Sequence, residues 1–150
     1  MMQTLSSLFQ ASDGAAVEFG GRLVQPIFQM PLQNAETRFT VHRVSSASSP
    51  VQGLCIKATK GGITVNGQSH SQIILWADTS PDTVEIVISS KRGGVLKAWN
   101  VWRSGDLTQA WIGNAGMHVS SNGGKTILEC SDGVQDVDFT NLVIELEESS

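Results

Sequence analysis

The sequence predicts an all-β domain, a two-layer antiparallel β-sandwich of jelly-roll-like character, and three observations carry that expectation. Short alternating or β-branched runs recur from Ala15 onward, the period-2 signature of strands with one buried face. Gly, Asn, Asp and Pro separate the runs, and 15 of the 150 residues are glycine, as a chain of many tight turns requires. Only 16% of residues are charged, which argues against a bundle of solvated helices.

The elements follow in order. Leu5, Leu8 and Phe9 fall at i, i+3 and i+4 before Asp13-Gly14 ends the pattern, so a short N-terminal helix is expected. Strands are expected over residues 16–24, 37–44, 53–58, 63–65, 69–76, 83–90, 95–103, 108–112, 117–120, 126–130 and 141–147. These eleven candidates, about ten strands in the fold, exceed what one open twisted sheet usually holds, hence two packed sheets.

Asn66-Gly67 is the strongest hairpin cue, because a type I′ turn needs positive φ at both central residues. Gly93-Gly94, Ser104-Gly105-Asp106, Gly113-Asn114 and Asn122-Gly123-Gly124 repeat the signal, so residues 83–130 read as an antiparallel meander. Pro26 and Pro31 bar residues 25–34 from a central strand, since proline donates no ladder hydrogen bond. The polar run at 45–50 reads as a surface connection. Alternation places Val84, Ile86 and Ile88 on one face, as it does Phe39 with Val41, and Leu142 with Ile144 and Leu146; these are the expected core. Trp76 and Trp111 are expected there too, in line with the high average burial of tryptophan.

With 40% hydrophobic residues and no internal repeat, residues 1–150 read as a single domain. A net charge of −4 and scattered lysines and arginines give no footprint for a nucleic-acid backbone. The N-terminal stretch lacks a basic region followed by a long apolar run, and no later stretch approaches the ~20 apolar residues of a bilayer span. The expectation is a cytoplasmic chain with neither nucleic-acid nor membrane partner, its cysteines Cys55 and Cys130 free and buried.

No catalytic signature emerges. His42, His70 and His118 lie outside the spacings that pair metal ligands, and alternation turns His42 and His118 outward. The chain has no nucleophile elbow, P-loop or dinucleotide fingerprint. Cys55 could act as a nucleophile only with a histidine brought beside it by the fold.

Two features remain as candidate sites. The first is the segment 129–141, where Glu129, Asp132, Asp136, Asp138 and Asn141 are concentrated. Ca²⁺ takes six to eight oxygens from such groups, so they form a candidate calcium site, although Asp and Asn are also favoured turn formers. Asp132-Gly133 followed by Asp136-x-Asp138-Phe139-x-Asn141-Leu-Val-Ile resembles the end of the bacterial calcium-dependent sugar-binding lectins, and residues 34–41 are similar to a strand near their start. The resemblance implies a small β-sandwich with a calcium-bearing loop that holds sugar hydroxyls, with Asp136, Asp138 and Asn141 on ligand positions. Thr140 stands where that family has a ligand asparagine, and Asn141 where it has an aspartate.

The second feature is tryptophan: four in a chain with no tyrosine. Trp99 and Trp102 fall on opposite faces of one strand, so one of them turns away from the core. An outward Trp99 would sit with Lys97 and Arg103, a polar face on which an indole can stack on a sugar ring or a partner, while burial of Trp99 in the core is an equal alternative. Two functions fit these features. One is a non-catalytic ligand-binding module, with calcium-assisted carbohydrate binding as its sharpest form. The other is a structural or interaction protein that self-associates into a homo-oligomer and binds no small molecule.

Overall fold

The computed structural model describes residues 4–134 and 136–149. Among these residues one helix, α1 (Leu5–Ala11), precedes fourteen strands: β1 (Val17–Phe19), β2 (Arg22–Val24), β3 (Phe28–Pro31), β4 (Glu36–Ser46), β5 (Gln52–Ala58), β6 (Gly61–Val65), β7 (Gln68–His70), β8 (Gln72–Trp76), β9 (Thr83–Ser90), β10 (Val95–Ser104), β11 (Leu107–Gln109), β12 (Gly116–Asn122), β13 (Lys125–Ser131) and β14 (Leu142–Ser149). The large sheet runs β12-β13-β14-β4-β9-β6-β7; the small one runs β11-β10-β5-β8, with β3 also on β10. Every pairing is antiparallel. The all-β sandwich expected from alternation is the fold observed.

The core lies between the layers, where the alternating faces meet. Ile86, Ile88, Phe39, Val41, Leu142, Ile144 and Leu146 of the large sheet are buried in one cluster with Leu54, Ile56, Leu96 and Ala98 of the small sheet, and Val84 packs against it. These include all eight core residues expected from alternation.

The extra strands come from breaks that apolar periodicity does not reveal. The expected strand over 16–24 is the hairpin β1–β2, turned at Gly20 (φ 61°) and Gly21 (φ 79°). The expected strand over 69–76 divides at Ser71, with β7 in the large sheet and β8 in the small one, a corner of the kind that closes a sandwich. β3 lies in the proline-flanked stretch and pairs with β10 alone, so it is an edge strand as proline requires.

The meander expected over 83–130 is overturned. β9 belongs to the large sheet and β10 to the small one, and β11 and β12 are likewise divided. The turn between β9 and β10 therefore crosses the layers: four residues can extend ~13 Å, and stacked sheets lie ~10 Å apart.

A smaller core sits beside the sandwich. Leu5 and Phe9 of α1 join Val24 of β2, with Val17, Phe19, Val137 and Phe139 packed around them. Gly116 permits this approach, because a Cβ there would lie 3.1 Å from both Leu5 and Val24. Thr4 caps the helix by accepting from Ser7 N, and Asp13 (φ 57°) with Gly14 (φ 82°) ends it.

Candidate functional site

The strand β10 sorts the tryptophans. Leu96, Ala98, Asn100 and Trp102 stand opposite Ala58, Ile56, Leu54 and Gln52 on the inner face. The side chain of Asn100 crosses to the other layer, donating to Ser131 O at 2.9 Å. Trp102 is buried beneath Gly133, where a Cβ would come within 2.7 Å of the indole. Lys97, Trp99, Val101 and Arg103 take the outer face, so the sequence correctly places Trp99 with Lys97 and Arg103.

Register adds neighbours that local sequence cannot. Trp99 stands opposite Cys55, which faces Ile74; Val101 stands opposite Gly53, which faces Trp76. The Trp76 ring occupies the space a side chain at residue 53 would need: a Cβ there would lie 2.7 Å from Trp76 Cε3. Arg103 then stacks over Trp76, 4.4 Å from its centroid, and its Nη1 donates to Asp78 Oδ2 at 2.6 Å. Cys55 and Val101 are thus buried on a face that points away from the sandwich core.

Trp111 completes the group and corrects an expectation. It is 46% exposed rather than buried in the core, and its ring lies 5.0 Å from that of Trp99, tilted by 33°. Its φ of 59° is left-handed, a genuine outlier for a bulky residue. Contacts on either side impose that conformation. Indole Nε1 donates to Pro26 O at 3.3 Å, and the next residues are tied down by Ala115 N to Ile112 O at 3.1 Å and Ser6 N to Gly113 O at 2.8 Å. The exposed side of Trp111 borders a hollow of about 560 Å³ that Phe9, Pro26 and Ile27 also line, a volume within the range of small-molecule sites. Average burial of tryptophan misses this residue because loop backbone, not hydrophobicity, sets its position.

The acidic segment is arranged differently. Asp132 is buried, its Oδ2 accepting from Gln52 Nε2 at 2.8 Å and its Oδ1 from Val134 N at 3.1 Å. Asn141 Oδ1 accepts from Asp132 N at 3.1 Å. Asp138 Oδ1 accepts from Thr140 N and Thr140 Oγ1 at 2.9 and 2.6 Å, and these bonds hold its carboxyl below the ordinary value. Glu129 is on the outer face of the large sheet, paired with Arg22 at 2.7 Å, and Arg22 also lies over the Phe139 ring at 5.4 Å. Asp136 is exposed; Gln135 lies outside the described residues.

Among the described residues, no group of three or more His, Cys, Asp or Glu is placed to share an ion. As arranged, the donor set directs its oxygens into internal hydrogen bonds. It ties the loop to β5 and β13 instead.

The other reactive groups are quiet. Both cysteines are free and buried. Burial pushes the Cys55 thiol up to about 11 despite Lys57 nearby, and burial, aided by Glu129, also raises Cys130. Neither is a thiolate at neutral pH. His42 Nδ1 lies 2.9 Å from Thr83 Oγ1, and His118 Nδ1 lies 3.0 Å from Leu23 O. Among the described residues, no helix is long and apolar enough to cross a membrane. Compared with models of known protein families and with curated proteins, the chain matches none.

Proposed function

We propose that the protein is a non-catalytic binding module whose ligand surface is the outer face of the small sheet. The Trp111–Trp99 pair is its stacking platform, Lys97 and Arg103 its polar rim, and a flat-faced ligand such as a sugar ring its occupant. The observation that carries this reading is Trp111, half exposed in a left-handed backbone conformation. Such strain costs about 1–3 kcal/mol and concentrates at functional positions. A loop needing only the turn would hold glycine or asparagine. An exposed indole backed by a second indole offers a rigid apolar plate with an N–H at its edge.

Saturation-transfer NMR with methyl glucosides, galactosides and mannosides tests the ligand class. At least one is expected to bind and to lose its signal in Trp111→Ala; silence from all of them overturns the carbohydrate assignment. Trp111→Gly separates strain from packing. The glycine relieves the backbone while forfeiting an aromatic contact worth about 0.5–1.5 kcal/mol, so stability should change little while binding is lost.

Calcium has no part in this reading, because both carboxylate oxygens of Asp132, Oδ1 of Asp138 and Oδ1 of Asn141 accept internal hydrogen bonds. Millimolar CaCl₂ is expected to leave the melting temperature unchanged. A saturable rise, abolished in Asp136→Asn/Asp138→Asn, would restore calcium-assisted binding.

A second reading, self-association through the same face without a small ligand, is favoured by the exposure of Leu107, Trp111 and Ile112 in one stretch of chain. Sedimentation decides between the two: Trp111→Ala shifts an oligomer toward monomer under this reading and leaves the mass unchanged under the first.

A further inference from the structure

The chain has ten lysines and arginines, and Arg22, Arg38, Arg43, Arg103 and Lys125 stand in ion pairs. The other five are Lys57, Lys60, Lys91, Arg92 and Lys97, and among the described residues none has a carboxylate within 4.0 Å. All five lie at one end of the sandwich, where the links 32–35, 59–60 and 91–94 pass from one layer to the other. Scattered in the sequence, these cations are gathered by the fold into a basic pole on a chain of net charge −4.

The links hold the charges close together. Lys91 N donates to Lys60 O at 2.9 Å, Gly94 N to Lys91 O at 3.1 Å, and Leu32 N to Gly94 O at 2.9 Å. Gly93, with φ 85°, takes the left-handed position of the 91–94 turn. A Cβ there would stand 3.1 Å from Lys60 Nζ, so the Lys60 ammonium lies against the turn that carries Lys91 and Arg92. Between this turn and residues 31–35 is a cavity of about 440 Å³, lined in part by Gln33, Asn34, Lys91 and Arg92. Lys57 and Lys97 stand directly opposite each other on adjacent strands, a like-charge pairing that costs stability. The nearby Glu36 has its carboxylate 3.8 Å from Arg38.

We infer that this basic pole binds a small tetrahedral oxyanion, phosphate or sulfate, free or esterified on a small molecule. A cleft lined by one sign of charge focuses its field on a counter-ion. The planar Arg92 fork matches two oxyanion oxygens, and lysine ammoniums bind the same group as point charges. The amides of Gln33 and Asn34 add neutral donors at the opposite wall. Lys97 is shared with the rim of the tryptophan platform, but the cavity stands independently of it, because Lys60, Lys91 and Arg92 have no place there.

The test is a titration of the whole chain with inorganic phosphate, read from the amide resonances of Gly93 and Gly94, with chloride at matched ionic strength as control. Saturable shifts specific to phosphate or sulfate are expected. Lys91→Ala/Arg92→Ala should weaken binding about tenfold or more, as the loss of charged hydrogen bonds implies, while Lys125→Ala leaves it unchanged. Glucose 6-phosphate against glucose identifies the source: tighter binding than inorganic phosphate assigns an esterified ligand, and equal binding a free anion. Shifts that chloride reproduces, that fail to saturate, or that survive in the double variant overturn the proposal.

Discussion

The two sheets of this sandwich present opposite outer faces. On the large sheet, Lys125 lies 3.8 Å from both Glu145 and Glu147, Arg38 lies 3.8 Å from Glu36, and Arg22 lies 2.7 Å from Glu129. Such charges pair along β4, across β13 and β14, and from the β1–β2 hairpin onto β13; exposed pairs of this kind contribute little each. On the small sheet the outer face buries Cys55, Trp99 and Val101 beside Trp76, with Trp111 stacked from a loop. Its rim cations, Lys57 and Lys97, face one another without a carboxylate between them. A sheet that needed only to cover the core would resemble the first face. The second spends apolar surface, backbone strain and charge repulsion outside the core, which is why the binding surface is proposed there.

The most severe break in that comparison is Trp99→Ala. If the outer face of the small sheet is a packed layer in its own right, removing an indole that is 8% exposed should cost about 3–5 kcal/mol, as for tryptophan deleted from a core. The same substitution at Glu145 should stay within about 0.5 kcal/mol. Urea denaturation of both variants decides it; a cost at Trp99 similar to that at Glu145 would mean that Trp111 and Trp76 pack no second layer.

Next in size is Gly53→Ala. The added methyl would stand 2.7 Å from the Trp76 ring, so the ring must swing off β5 and release Arg103 from its stacked position. Overpacking of this kind costs about 1–3 kcal/mol, and the Trp76 emission should shift toward that of exposed indole. An unchanged spectrum would show that the ring relaxes without leaving the face.

These two positions also mark how far the sequence could be read. Period-2 alternation was enough to put Trp99, Lys97 and Arg103 on one face, and Ile86 and Ile88 on the inner side, because each assignment lies within a single strand. It could not bring Trp76 over Gly53, since that depends on the register between β5 and β8. Nor could it show that 69–76 changes sheet at Ser71 or that the 91–94 turn crosses layers: turn residues specify a local bend, not the sheet that receives the next strand. Trp111 escapes sequence reading because a residue-type average says nothing about a loop pinned by Pro26, Gly113 and α1. The acidic run at 129–141 was visible as composition, whereas its hydrogen-bond partners, Gln52 foremost, lie far away in sequence.

Alkaline pH probes the burial of Cys55 on the outer face. In the folded chain burial raises its thiol to about 11, above the ordinary value near 8.5 of an unfolded cysteine. Between those values the folded state binds more protons than the unfolded one, so stability is fully present below the lower value and falls as pH rises toward the upper. Stability measured from pH 8 to about 11 should decline with a slope that Cys55→Ala reduces, the remainder belonging to Cys130, whose thiol burial also raises. A slope untouched by Cys55→Ala would place the residue in contact with water.

The smallest effect comes from the like-charge pair at the rim. Lys97 and Lys57 are direct cross-strand neighbours, and such neighbours repel when their charges match and attract when they oppose. Lys97→Glu converts one arrangement into the other without touching the indoles, so it should stabilise the fold by about 0.2–1 kcal/mol. Salt distinguishes this from any packing effect: screening weakens repulsion in the parent and attraction in the variant, so the difference between them should shrink as ionic strength rises. A gain that persists at high salt would trace to the carbons of the side chain, and the repulsion attributed to this rim would then be absent. If the gain appears and fades as expected, the parent chain retains a cation pair that a single substitution improves, and the comparison between the two outer faces becomes sharper: on the large sheet charges are placed for pairing, whereas Lys57 and Lys97 on the small sheet stay unpaired, as the proposed ligand surface requires.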